Sequence, residues 1–310
     1  MALAVLFDKK KRAAAQARFK AWWNGEDYTP APEGEAADAP AAAQAIPPQP
    51  AAAEAISPRL AALQRIWGEG RTRPGDATAE SLLAAMLNAP PEAQIDVMGA
   101  GLAGPLMRIA EGHPGPIVAH EWREETLAAT RRALAAAGLS ERVSVKPIDL
   151  DTYAPQPDTI DALISFDEFT YAANAPRLAA QIAKALKPGA YALIEAYVAI
   201  PTPDVAPAFA AAFAEHHVRP AGDLQDLLNE AGLKVESGED VTEEHLASAR
   251  EGFKRLAGVV EAAVGEGLSV RVLQEAAWEA AAWKERLKLL SQRRLERRRF
   301  LVRKAPAASA

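Results

Sequence analysis

The chain contains no cysteine. Disulfides and thiolate metal sites are thereby excluded, and a cytoplasmic location is the default expectation. Long apolar runs are missing as well: no stretch reaches the roughly 20 residues that a membrane-spanning helix needs. The opening Met1-Ala-Leu-Ala-Val-Leu-Phe-Asp8 is too short an apolar run for a secretory signal, and no basic residues precede it. The five histidines show no metal-ligand spacing, and His216-His217 read as a helix surface. Positive charge is not in surplus either. A formal net charge of −6 argues against a general nucleic-acid binder, although the C-terminal end is basic.

Alanine is plentiful and supplies much of the apolar content, so helices should be numerous and closely packed. With 310 residues the chain has room for one large domain with additions, or for two small ones. Residues 1–27 carry Lys9-Lys-Lys-Arg12 followed by Phe19, Trp22 and Trp23, a basic amphipathic helix over residues 8–23. It is expected to dock on its own domain, a protein partner or an anionic surface. From Tyr28 to about Pro58 the composition falls to alanine, proline and acid, too poor in large apolar side chains to order itself, and this reads as a flexible tether.

Order resumes with Leu60, Leu63 and Ile66 at helical spacing. A glycine-rich turn follows, Trp67-Gly-Glu-Gly-Arg-Thr-Arg-Pro-Gly75, whose arginines Arg71 and Arg73 read as solvent-facing or as binders of an anionic substrate group. A second helix, about Ala77 to Asn88 with Leu82, Leu83, Met86 and Leu87, leads to the segment Ile95-Asp-Val-Met-Gly-Ala-Gly-Leu-Ala-Gly-Pro105. The apolar run reads as a strand. Gly99 and Gly101 allow a tight turn and close approach of a ligand, and Pro105 suits the first turn of the next helix. Such a turn also joins strands to helices with no ligand involved.

The strand Pro116 to His120 ends at Glu121, about twenty residues past the first glycine. A carboxylate there is placed to accept hydrogen bonds from both hydroxyls of a ribose, and Trp122 is placed to cover one face of an adenine. Helix 124–137 closes at Gly138. Strand 143–148 ends at Asp149-Leu150, strand 160–166 at Asp167-Glu168, and helix 177–186 stops at Lys187-Pro-Gly189 before strand 191–198. Strict alternation demands a parallel sheet with helices on both faces and its ligand edge at the carboxyl ends of the strands. Gly99, Glu121, Asp149 and Asp167 all fall on that edge. Beyond it lie helix 223–231, strand 233–237, and a helical insertion over about 242–293 in which Trp278 and Trp283 are expected to pack inward. The closing run Arg298 to Arg303 reads as a sheet-edge strand, and the arginines of 293–299 as a solvated helix end or a phosphate contact.

In this order and spacing the chain resembles the class I S-adenosylmethionine-dependent methyltransferases over roughly residues 60–304. It is most similar to the phosphoethanolamine, sarcosine and related small-molecule N-methyltransferases. The matching pieces are Trp67-Gly-Glu-Gly70 with Pro74-Gly75, Gly99-Ala-Gly-Leu-Ala-Gly-Pro105, Glu121, Asp149-Leu150, Leu186-Lys-Pro-Gly189, Ala231-Gly-Leu233 and Arg299-Phe-Leu-Val-Arg-Lys304. The resemblance implies a Rossmann-like, doubly wound, mostly parallel α/β sheet with an antiparallel last strand, in a domain over residues 59–304 followed by a tail, 305–310. It implies that Gly99, Ala100 and Gly101 pass under the methionine part of the cofactor. Glu121 would hold the ribose beside Trp122, and Asp149 the adenine amino group with Leu150 against the ring. Asp167 lines the same site. For Glu121 and Asp149 the alternative is an ordinary helix N-terminal acid.

Several positions depart from that pattern. Val97 stands where an acid is usual, with Asp96 displaced onto the opposite face of the strand. Ala103 replaces a close-approach glycine, Tyr171 aligns with a histidine after the fourth strand, and the Asn-Pro-Pro-Tyr signature is absent. Methyl transfer from a sulfonium needs alignment, exclusion of water and removal of a proton from a protonated acceptor. Glu168 and Tyr171 are the expected catalytic residues, though Tyr171 also reads as a partly buried loop aromatic. The expected partner is a small-molecule methyl acceptor, with no metal. Two competing readings stand beside this one. One is a methyltransferase-shaped scaffold or binding protein that no longer catalyses. The other is a dinucleotide-dependent oxidoreductase, since Gly99-x-Gly101-x-x-Gly104 with Glu121 downstream also fits a dinucleotide fingerprint.

Overall fold

The computed structural model describes residues 56–200, 217–265 and 268–307. The expected basic helix 8–23, almost all of the tether and His216 lie outside them. Helix α1 (Pro58–Trp67) begins at the end of the expected tether, with Ser57 Oγ accepting from the Leu60 amide and proline in the first turn. Helix α2 (Ala77–Met86) is capped by Asp76. Its Leu83 and Leu87 are buried, but Leu82 and Met86 face outward, so the apolar stripe exceeds what the core covers.

Then β1 (Ile95–Met98), α3 (Ala103–Gly112), β2 (Ile117–Glu121), α4 (Glu124–Ala136), β3 (Val143–Pro147) and β4 (Ile160–Phe166) alternate as the apolar runs predict. A single turn α5 (Glu168–Tyr171) and helix α6 (Ala175–Ala185) lead to β5 (Leu186–Ala199). This strand starts earlier than expected: Leu186 pairs with Ile160 before an irregularity at Lys187-Pro-Gly189, after which Tyr191 pairs with Ala162. Short β6 (Arg219–Pro220), α7 (Ala221–Glu230), β7 (Leu233–Asp240), the long helices α8 (Thr242–Gly265) and α9 (Val270–Ser291), and β8 (Leu295–Lys304) complete the fold.

The strand order is β3-β2-β1-β4-β5-β8-β7, with β6 paired to β5. β8 runs antiparallel to both β5 and β7, and the other pairings are parallel. The expectation that the last strand forms the edge is corrected: β8 lies between β5 and β7, and β7 is the edge. One face of the sheet packs Met98, Leu163, Ile194 and Phe300 under α6 and α7 through Leu178, Ile182, Leu224 and Leu228. The other packs Ile95, Val97, Ile164 and Leu193 under α2, α3 and α4 through Leu83, Leu106, Ile109 and Leu127. Neighbours in β1 and β4 enter opposite clusters, the period-two signature of strands buried on both faces. Asp96 takes the face opposite Val97, its carboxylate bonded to His120 Nε2 at 2.8 Å and Gln94 Nε2 at 2.7 Å.

Among the described residues no helix is long and apolar enough to cross a membrane, and no cluster of three or more His, Asp or Glu could hold a metal ion.

Candidate functional site

Parallel registers bring the predicted residues to one rim. Met98 pairs with His120 and with Ser165, Glu121 with Pro147, and Phe166 with Glu195. The Gly99 amide donates to the His120 carbonyl at 3.2 Å, and the Ile148 amide to the Glu121 carbonyl at 3.3 Å. The turns at 99–101, 121–123, 148–150 and 167–168 are thus successive strand ends, each roughly 5 Å from the next.

Gly99 and Gly101 adopt φ of 70° and 73°, backbone that an L side chain rarely takes. Their open faces are covered by other parts of the chain. A Cβ at Gly99 would collide with the Glu168 carboxylate and the Phe166 carbonyl, and one at Gly101 with the Thr72 hydroxyl. Thr72 belongs to the loop between α1 and α2, which is anchored by the Gly104 amide donating to the Gly70 carbonyl at 2.8 Å. Close approach at Gly104 therefore serves this loop, while Ala100 and Ala103 are buried in the core cluster with Val97, Leu106 and Leu127.

Glu121 is 2% exposed, and both its oxygens are engaged by Arg123. Arg123 Nε and its backbone amide reach Oε1 at 2.9 and 2.8 Å, and Nη2 reaches Oε2 at 3.0 Å. This two-pronged geometry is the one a pair of ribose hydroxyls would use. The Arg123 side chain is 38% exposed and lies against the Trp122 ring. Trp122 is itself half exposed, 6.0 Å from the Tyr171 ring. Asp149 is exposed, and its acidity is raised by hydrogen bonds from the Asp151 amide and the Thr152 side chain. Leu150 is buried beside it.

Asp167 occupies left-handed backbone (φ 66°). Its amide donates to the Glu195 carbonyl at 2.8 Å, its carbonyl accepts from the Thr170 amide and hydroxyl, and its carboxylate pairs with Arg297. The sharp turn turns Glu168 back over Gly99. Glu168 is 2% exposed, and its Oε2 has no hydrogen-bond partner. Burial, then the neighbouring Glu121 carboxylate, push this carboxyl up to about 8 against the counter-pull of Arg123 and Arg73.

Beside this crevice lies a second feature that sequence reasoning missed. A cavity of about 60 Å³ for the centres of water-sized spheres, several times the ~10–15 Å³ one water requires, is lined by Arg73, Phe166, Glu195, His245, Arg297 and Arg299 among others. Arg73 is corrected from a solvent-facing residue: its guanidinium lies 4.0 Å over the Phe166 ring, and its Nε and Nη2 are buried without partners. Arg71 is corrected likewise, forming a buried bidentate pair with Glu80 at 2.5 and 2.6 Å. The run 293–299 is largely strand, and Arg297, 2% exposed, bridges Asp167 and Glu195 while Arg299 Nε holds the other Glu195 oxygen at 2.8 Å. Burial and then Arg297, Arg286 and Arg73 hold His245 well below its usual range, so it is neutral at pH 7 and accepts or donates toward Tyr197 Oη at 2.5 Å. Glu195 was the legible signal: a lone carboxylate inside Ala192-Leu-Ile-Glu-Ala-Tyr-Val198 requires a cation across the sheet.

No profile of a known protein family and no curated protein matches the sequence. Solved structures do match. Phosphoethanolamine N-methyltransferase 2 of Haemonchus contortus, in complex with S-adenosyl-L-methionine, superposes with a TM-score of 0.69 at 17% identity, covering 79% of this chain. The chain spans 56% of that protein's length. A Galdieria sulphuraria protein assigned as a sarcosine dimethylglycine methyltransferase gives 0.67 at 15% identity, covering 80% of this chain and 98% of its own. The cyclase SpnF gives 0.64 at 17% identity, covering 81% and 93%. The chain therefore carries the Rossmann-like class I methyltransferase fold.

Proposed function

We propose that the protein is an S-adenosylmethionine-dependent methyltransferase acting on a small molecule. The observation that carries this reading is the convergence on one rim of positive-φ Gly99 and Gly101, a buried Glu121 offering both oxygens to a two-donor partner, and Asp149-Leu150 at the next strand end. These residues fit the adenosyl cofactor once Arg123 swings outward, which its partial exposure permits, and once Thr72 and the Glu168 carboxylate draw back from Gly101 and Gly99. Glu121 then receives the ribose hydroxyls, Asp149 the adenine amino group, and Leu150 and Trp122 the ring.

The cofactor supplies an electrophilic methyl group. The chain's own residues hold the acceptor in line, exclude water and handle one proton. Glu168 is the group able to take that proton, and Tyr171 borders the same space. The acceptor enters through the arginine-lined cavity, whose walls include Arg73 and Phe166, next in sequence to Thr72 and Asp167, and the unpartnered nitrogens of Arg73 suit an anionic group on it. Calorimetry with S-adenosylmethionine and S-adenosylhomocysteine tests the reading. Micromolar binding that Glu121→Ala abolishes is expected, and absence of binding overturns it. A second reading, cofactor binding without methyl transfer, is favoured by the covered glycine loop and by the shared fold of a cyclase. Binding without turnover across amine and hydroxyl acceptors would select it.

A further inference from the structure

Glu168 has a place in the fold that the sequence did not reveal. It is fully enclosed, one carboxyl oxygen presses on the open face of Gly99, and the other has no partner. Its charged surroundings come from three elements: Glu121 and Arg123 from the end of β2, Asp167 from the end of β4, and Arg73 from the loop between α1 and α2. Arg123 and Arg73 do not offset burial and the two neighbouring carboxylates, so the uncharged carboxyl prevails there until a further cation adjoins it.

The covalent structure of the cofactor places such a cation. In S-adenosylmethionine the sulfur is bonded directly to C5′ of the ribose, so a ribose on Glu121 and a methionine tail over Gly99-Gly101 leave the sulfonium between those two landmarks. Glu168 adjoins both, with one carboxyl oxygen against Gly99 and the carboxyl within electrostatic reach of Glu121. Resting on the cofactor reading above, we propose that Glu168 is the counter-ion of the sulfonium, giving up its proton when S-adenosylmethionine binds and receiving one from the acceptor on methyl transfer.

The balance closes. On binding, the Glu168 proton leaves to solvent and a carboxylate faces the sulfonium. In transfer, the acceptor nitrogen forms its bond to the methyl carbon as the sulfur–carbon bond breaks, the electron pair staying on sulfur. The positive charge passes to the nitrogen, whose proton moves to Glu168. The neutral thioether product then sits beside a neutral carboxyl, so the product has no ionic hold on the site.

The test is calorimetric titration of the full chain at pH 7 with S-adenosylmethionine and, separately, S-adenosylhomocysteine, each in buffers of different ionisation enthalpy. Both ligands displace Arg123 alike, so their difference isolates the sulfonium. The expected result is about one proton more released for S-adenosylmethionine than for S-adenosylhomocysteine. In Glu168→Gln this difference vanishes, and the preference for the sulfonium falls about tenfold or more. Equal proton release by the two ligands in the unaltered protein overturns the proposal without any variant. Failure of either ligand to bind overturns the cofactor reading itself, a distinguishable outcome.

Discussion

Arg123 competes with the cofactor for Glu121, and the competition can be measured. Its guanidinium makes two charge-assisted contacts with a buried carboxylate, yet the side chain is partly open to water, which screens the pair to about 1 kcal/mol. Arg123→Gln is therefore expected to tighten binding of both S-adenosylmethionine and S-adenosylhomocysteine about fivefold by calorimetry; weaker binding would mean that Arg123 orients the acid. Glu168 yields a prediction about stability. Its ordinary value is 4.5 and its folded value about 8, so between these the folded state holds a proton that the unfolded chain has lost. Stability from this group is accordingly greatest at low pH, falls as pH rises from about 4.5 to about 8, and is level above. Thermal melts of Glu168→Gln should lose that slope and show a higher melting temperature than the unaltered protein at about pH 9. An unchanged slope would place the proton elsewhere.

At the scale of elements, the strands and helices were legible where a pattern has a single cause. Buried parallel strands write continuous apolar runs, and glycines at 99, 101, 138 and 232 mark turns because each sits at positive φ. Interactions between distant segments left a fainter mark: Glu195 inside an apolar run requires a cation, but nothing local says which. The arginines of β8 read as solvated because isolated cations belong in water. Only Asp167 and Glu195, 130 and 102 residues away, make Arg297 a core residue. The indoles misled for a geometric reason: Trp278 and Trp283 are five residues apart on α9, about 140° around the helix, so one contact face cannot bury both. Trp283 is 1% exposed and Trp278 74%. Of the candidate site, strand ends, glycines and Glu168 as a candidate residue were readable, whereas the contacts of Arg123 and Thr72 and the turning-back of Glu168 over Gly99 were not, because each is set by loop geometry. Arg297→Ala should cost about 3–5 kcal/mol in urea denaturation by removing the hydrogen-bonded cation from Asp167 and leaving Glu195 to Arg299, and Trp278→Ser less than about 0.5 kcal/mol. A small loss for the first would mean that water enters and solvates Asp167 and Glu195.

Across the whole molecule, the helices between β7 and β8 reach the opposite end of the chain order and fix the loop between α1 and α2. Glu279 on α9 is the joint: its Oε1 accepts from Trp67 Nε1 at 2.9 Å and Trp283 Nε1 at 3.0 Å, and its Oε2 accepts from Arg59 at 2.6 Å. Trp67 ends α1, and its ring packs against Trp283 at 4.8 Å and Phe253 of α8 at 6.1 Å. Immediately after Trp67 comes the loop that lays Thr72 on Gly101 and Arg73 beside the cavity. The position of that loop, and with it access to both crevice and cavity, thus depends on a contact more than 200 residues distant. Glu279→Gln keeps one acceptor for the two indoles but weakens the hold on Arg59. Glu279→Ala removes the acceptor altogether and leaves two indole N–H groups unsatisfied in the interior, at about 1–3 kcal/mol each. The alanine variant should therefore lose about 2–6 kcal/mol more than the glutamine variant in urea denaturation. It should also exchange the amide of Gly104, bonded to the Gly70 carbonyl, faster under native conditions, while the amides of β4 and β5 keep their protection. Uniform acceleration across loop and sheet would show that the helices stabilise the whole domain rather than the loop, and the link from α9 to the crevice would then fail.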